Sequence, residues 1–312
     1  MGALVIDADD FGADALRNLG IFVAAGARSI SSISVLVTPR SHPGTLIVSG
    51  IRHLFPSIRI ALHVDLTSKD LLSGSGVDLF SGEPPDYTDK RAFWQKATAG
   101  QLNIPRVSLE VELQIQRFIS LYGFAPMGLD SHNHVHISSP AVFRVFESFR
   151  QTYNLPQLRW PCELLTEARI AKYIQVLIDH RVVVRDQPRQ APHHDTISIL
   201  PQLIHRMRDI PEADILLYEF AGRQFEGMSS ENFVGTTYGF SLCFRELFRL
   251  FSLVRVSEKR YRFLCHPGLN IVTSSRNTFS CRDRLRELFN LIMVVLMQRL
   301  MNFVCKDKLR IL

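Results

Sequence analysis

Seven consecutive residues concentrate much of the chemistry this chain can offer. Asp130-Ser131-His132-Asn133-His134-Val135-His136 brings together one carboxylate and three imidazoles. The segment follows the apolar Met127-Gly128-Leu129 and runs into Ser138-Ser139-Pro140, a helix-start signal. Read as extended chain, alternate residues share a face, so Asp130, His132, His134 and His136 are expected to point the same way. Imidazole and carboxylate ligands together suit Zn²⁺, Fe or Mn²⁺. Members of the cluster that do not touch an ion would serve to orient those that do.

Three shorter segments add groups of the same kind. Asp9-Asp10 precedes the turn signal Phe11-Gly12. Neighbouring residues of a strand face opposite ways, so both carboxylates reach one site only if the chain turns there. One would then bind a metal and the other act as a base, with Asp7, on the same face as Asp9, an alternative in either role. His63 stands in Leu62-His63-Val64-Asp65-Leu66-Thr67, and His266 in Cys265-His266-Pro267-Gly268. His266 is a candidate general acid near neutral pH. Alternation puts Cys265 on the opposite face, where it is expected to be buried and inert.

These groups sit at the ends of predicted strands. Leu4–Asp10, Ile30–Val37, Ile58–His63, Gln157–Trp160, Val182–Arg185, Ile215–Phe220 and Arg262–His266 read as strands. Helical spacing is found at 13–27, 107–122, from Pro140 onward, and at 163–180, 195–208, 240–252 and 282–304. Residues 68–105, rich in Gly, Ser and Pro, read as a long loop, either a functional lid or a mobile segment. Strands alternating with helices predict a mainly parallel sheet. The expected fold is α/β, a single-domain TIM-barrel-like β/α barrel of seven or eight βα units. In such barrels the C-terminal ends of the strands form one rim where the chemistry sits. Asp9, Asp10, His63, His132 and His266 would converge there.

The composition is that of a globular protein, with 46% hydrophobic and 21% charged residues among 312. The net charge of +6 is uneven. From Arg245 onward 14 Lys/Arg face 5 Asp/Glu, so the preceding residues are slightly acidic, which argues against nucleic acid as a partner. Five scattered cysteines without a C-x-x-C argue against a disulfide framework or zinc knuckle. With no signal peptide visible, the expected location is cytoplasmic. The apolar run Leu291–Met297 is too short to span a bilayer. The expected division is a barrel domain over 1–290 and a C-terminal apolar and basic helix or tail over 291–312. That helix would pack on the barrel or on a partner subunit, which leaves a homodimer open.

Taken together, Ala8-Asp9-Asp10-Phe11-Gly12, the His63 segment, the histidine cluster and Cys265-His266-Pro267-Gly268 resemble the YdjC-like carbohydrate deacetylases, the chitooligosaccharide deacetylases among them. The resemblance covers most of residues 1–150 and resumes around 215–290. It implies a β/α-barrel-like hydrolase that uses one divalent metal ion, Mg²⁺ or Zn²⁺, to remove acetyl groups from N-acetylated mono- or oligosaccharides. Carried over by motif, Asp10, His63 and His132 would hold the metal, Asp9 would be the general base, and His266 the acid or transition-state stabiliser. Asp130, His134 and His136 become supporting or substrate-facing groups. Asp7 and Asp65 depart from the resemblance, standing where Asn or Thr, and Asn, are common. Two other readings are another barrel metal hydrolase, of amidohydrolase or phosphoesterase type, and a non-catalytic metal-binding scaffold.

Overall fold

Nine residues, Ala3–Phe11, form the first strand, β1, at the centre of a parallel sheet. Leu4, Ile6 and Ala8 on one face and Val5 on the other are fully buried, as expected of a strand covered on both sides. The structure is a computed structural model that describes residues 3–81, 90–161, 231–234, 260–269 and 281–305. The predicted strands at Val182–Arg185 and Ile215–Phe220, and the helices at 163–180, 195–208 and 240–252, lie outside these residues.

The other strands of the sheet are β2 (Ser32–Val35), β3 (Arg59–Val64), β6 (Leu129–Ser131), β7 (Glu231–Val234) and β8 (Arg260–Cys265). They lie in the order β6-β3-β2-β1-β8-β7, and all five neighbouring pairs are parallel. Leu158 adds a parallel bridge to Leu129, where the sequence predicts the strand Gln157–Trp160. Register sets the rim: His63 lies opposite Asp130, and Ala8 opposite Cys265.

Helices α1 (Ala15–Gly26), α2 (Thr45–Leu54), α4 (Ile104–Tyr122) and α5 (Pro140–Thr152) link or flank these strands. Their ends follow capping chemistry. Asp14 accepts the Arg17 N–H at 2.8 Å, Ser139 caps α5 just before Pro140, and Gly123 closes α4 with a left-handed φ of 75°. Helix α4 starts earlier than its apolar spacing predicts, because Asn103 caps it and Pro105 fits its first turn.

The stretch expected to be one long loop is more ordered than its composition implies. It holds the short hairpin of β4 (Asp70–Leu71) and β5 (Gly74–Ser75), a 3-10 turn at Gly76–Leu79, and helix α3 (Lys90–Thr98). Glu110, fully buried on α4, receives the backbone N–H groups of Leu72 and Ser73 at 3.1 and 2.7 Å. Trp94 is buried and donates its indole N–H to the Asn133 carbonyl at 3.3 Å, tying this segment to the histidine cluster.

The last helix, α6, runs unbroken over Cys281–Cys305, so the expected boundary at 290/291 falls within one element. Leu288, Leu291 and Val294 enter the main core, and the helix packs on α1. No helix among the described residues is long and apolar enough to cross a membrane.

Helix α1 meets the turn after β8 without room for a side chain. A Cβ on Gly20 would lie 2.5 Å from the Gly268 Cα, whereas one on Gly50 in α2 meets only Phe22 at 3.7 Å. Gly20→Ala is therefore expected to destabilise the fold by about 1–3 kcal/mol through overpacking. Gly50→Ala should stabilise it by about 0.5–1 kcal/mol through helix propensity. Urea unfolding of the two variants checks this; equal midpoints would show that the close approach at Gly20 carries no stability.

Candidate metal centre

The site begins with a break in β1. Pairing with β2 shifts register between Ala8 and Phe11, and Asp10 adopts a left-handed φ of 62°. Asp tolerates that region better than bulkier residues do. Gly12 follows with φ 98°, where a Cβ would lie 2.7 Å from the Leu36 carbonyl oxygen. This bend lets Asp9 and Asp10 enter one site although they are neighbours in a strand.

Three groups from three strand ends then meet. Asp10 Oδ1 lies 3.0 Å from His132 Nδ1 and 3.5 Å from His63 Nε2, and the His63 and His132 rings meet edge-on at 5.5 Å. The Asp10, His63 and His132 ligand atoms lie within 4.8 Å of one another. Asp10 Oδ1 is buried and takes no hydrogen bond of good geometry, whereas Oδ2 accepts from Arg17 Nη1 at 2.8 Å. One oxygen is thus held and the other left facing two imidazole nitrogens. His63 Nδ1 is bonded to Asp130, which also accepts from Ser34 Oγ at 2.6 Å, so His63 presents Nε2. A carboxylate behind a metal-facing imidazole is the arrangement that orients ligands in metal sites. These residues fit a divalent cation.

The protonation behaviour points the same way. Burial opposes charge on His63, but Asp9, Asp130 and Asp10 overcome it and raise its pKa to about 10. A proton on Nε2 there stands where a cation would bind. Burial also works against charge on Asp10, yet His132, His63 and Arg17 hold its carboxyl well below the usual range.

Asp9 lies alongside, with Oδ2 at 3.8 Å from His63 Nε2. Both its oxygens accept from Arg159, Nη1 and Nη2 each at 2.6 Å. Burial raises its pKa to about 6 against the opposing pull of Arg159 and His63. His266, at the end of β8, is half-buried overall, with its ring Nδ1 enclosed. Its backbone N–H donates to Glu287 Oε2 at 2.9 Å, and its carbonyl accepts from Arg284 Nη1 at 3.4 Å. Burial, partly countered by Asp10, lowers its imidazole pKa to about 3, so it is neutral at neutral pH. Cys265 is fully buried, its thiol pushed up by burial and nearby carboxylates, as expected of an inert residue.

The opening cluster does not form the extended row its sequence suggests. After Ser131 the chain enters a 3-10 turn, His132–Ile137, with Asn133 and His134 left-handed at φ 57° and 56°. The four polar side chains therefore diverge. His132 faces Asp10, and Asp130 faces His63. His134 is buried, and burial with Arg159 nearby keeps it neutral. His136 is fully buried; Ser131 Oγ bonds its Nδ1 at 2.6 Å, and its Nε2–H donates to the Arg159 carbonyl at 2.8 Å.

The departures at Asp7 and Asp65 are absorbed locally. Asp7 is met by Arg262 Nη1 at 2.5 Å and by Ser32. Asp65 receives Thr67 N at 2.8 Å, Thr67 Oγ1 at 3.0 Å and Ser68 N at 3.2 Å, a side-chain-closed turn. Sequence reasoning missed Arg17, Arg159 and Arg262 altogether. The available signal was an arginine inside an otherwise apolar strand or helix, where a charge is expected to be exposed unless paired.

Comparison with known proteins places this chain in a family. A solved structure from Enterococcus faecalis V583, named for cellobiose-phosphate cleavage, superimposes with a TM-score of 0.57 at 19% identity, over 96% of this chain and 95% of that one. It shares the fold. Chitooligosaccharide deacetylase of Serratia marcescens is 29% identical over 158 residues, 49% of this chain and 57% of that protein. Carbohydrate deacetylase of Homo sapiens is 32% identical over 162 residues, 51% of this chain and 49% of that protein. The chain thus spans about half the length of the curated relatives it matches. The model of the family described as YdjC-like protein matches residues 3–300, almost end to end, and this chain belongs to that family.

Proposed function

We propose that the protein is a metal-dependent carbohydrate deacetylase that hydrolyses the acetamide of an N-acetylated sugar, chitooligosaccharides included, to acetate and a free amine. The observation that carries this reading is the convergence of Asp10 Oδ1, His63 Nε2 and His132 Nδ1, with the Asp9 carboxylate beside them. The deacetylase names of its relatives supply the substrate class. The site would lie on the rim of a barrel of seven or eight βα units.

Asp10, His63 and His132 would hold one divalent ion. Such an ion supplies Lewis acidity toward water and toward an amide carbonyl. Two imidazoles and a carboxylate suit Zn²⁺ at least as well as Mg²⁺. Asp9 takes the proton of the attacking water; with its pKa raised to about 6, it is an effective base just above that pH. Neutral His266 has no spare proton at neutral pH, so it serves as a hydrogen-bond donor to the developing charge. The proton gained by Asp9 is then the one delivered to the departing amine. Asp130 and Ser34 keep the His63 ring in place throughout.

Three outcomes test this. Chelator-stripped protein should release no acetate from N-acetylglucosamine oligomers until Zn²⁺ or Mg²⁺ is restored. Asp9→Asn should then lower kcat by about 10²–10⁴-fold, with metal content by elemental analysis unchanged. Metal-independent release, or full activity in Asp9→Asn, would end the proposal. Because Asp9 must be ionised to act, kcat/KM should fall as pH drops through about 6, with a bound cation moving the midpoint lower. A profile flat from pH 7 to 4 would exclude Asp9 as the base.

A further inference from the structure

Two overlapping groups of metal-capable side chains share His63: Asp10–His63–His132 and Asp9–His63–Asp130. Measured from His63, Asp9 is nearly as close as Asp10, although only Asp10 also meets His132. Asp9 Oδ2 lies 3.8 Å from His63 Nε2, against 3.5 Å for Asp10 Oδ1. What separates them further is arginine. Arg17 takes one oxygen of Asp10, while Arg159 takes both oxygens of Asp9, each at 2.6 Å. A carboxylate gripped by a planar guanidinium fork has its charge and direction committed.

Resting on the metal-centre reading above, we infer that Arg159 is a positioning residue that holds Asp9 out of the metal's coordination shell and so reserves it as the base. Arg159 is itself pinned. Its backbone N–H donates to the Leu129 carbonyl at 3.0 Å, and its own carbonyl accepts the His136 Nε2–H at 2.8 Å. Ser131 Oγ sets the other nitrogen of that imidazole. Nη1 of Arg159 also lies 3.2 Å from Asp130 Oδ2, so one side chain spans the base and the carboxylate behind His63. The buried His136 thereby fixes the segment from which the fork extends.

The inference predicts opposite signs for metal binding and turnover. In Arg159→Gln, Asp9 is free to swing onto the ion, so Zn²⁺ should be held about tenfold or more tightly while kcat falls about 100-fold. Zn²⁺ affinity would be measured on the full chain by competition with a chromogenic chelator, with folding checked by circular dichroism. Loss of a positive charge near a cation also raises affinity, so Asp9→Asn is added in both backgrounds. If the gain comes from Asp9 ligation, Asp9→Asn abolishes it. A gain that survives Asp9→Asn, or unchanged or weaker binding in a folded Arg159→Gln protein, overturns the inference. Arg159→Lys, which keeps the charge but offers no fork, covers the case in which Arg159→Gln does not fold. It frees one Asp9 oxygen and should shift affinity in the same direction by less; no shift overturns the inference equally. Asp10→Asn is the separate control. If the wild-type protein binds no Zn²⁺, or Asp10→Asn binds it as well as wild type, the metal-centre reading itself fails.

Discussion

A carboxylate taken out of water must meet a positive charge or several donors, and this site buries four of them side by side. Asp7, Asp9, Asp10 and Asp130 are each at most 3% exposed. Each is answered from a different part of the chain: Asp7 by Arg262, Asp9 by Arg159, Asp10 by Arg17, and Asp130 by His63 and Arg159. Removing one member of such a buried set leaves its partner desolvated and alone, at about 3–5 kcal/mol. The rim is therefore held together by its charges as much as by the apolar core beneath it. The same requirement keeps these side chains in a narrow range of positions.

Within that charge lattice, the backbone at Asp10 decides what the site can do. Had β1 stayed regular, Asp9 and Asp10 would have faced opposite sides of the sheet. The register shift and the left-handed Asp10 bring both to the same place but present them differently. Asp10 keeps one oxygen toward the imidazoles, whereas Asp9 is gripped through both. The neighbouring loop is held in a similar way. Asp65 closes its own turn, and Gln114 and Glu110 on α4 hold the backbone around it. The Asp65 carboxylate is thus taken up by local structure.

Much of the fold was readable from periodicity, because the signals were local. Apolar runs ending in polar groups marked β1, β3 and β8, and Ser138-Ser139-Pro140 marked the start of α5. The histidine cluster was misread in shape for an equally local reason. Alternation of polar and apolar residues is the mark of a strand, but Asn133 and His134 turn left-handed, which residue type permits and does not announce. In the stretch 68–105, Gly and Pro hid helix α3, whose buried Phe93 and Trp94 are stabilised by contacts distant in sequence.

By itself the sequence determined the inventory of the site: which residues are able to bind a cation or move a proton, and that they fall at strand ends. Only the tertiary structure decided how that inventory divides. His63 offers Nε2 because Asp130, 67 residues away, occupies Nδ1. Asp9 and Asp10 play unlike parts because Arg159, 150 residues from Asp9, grips one of them and Arg17 only half-engages the other. These choices depend on distances between groups far apart in the chain, and in a buried, weakly screened setting such distances set the strength of every charge interaction.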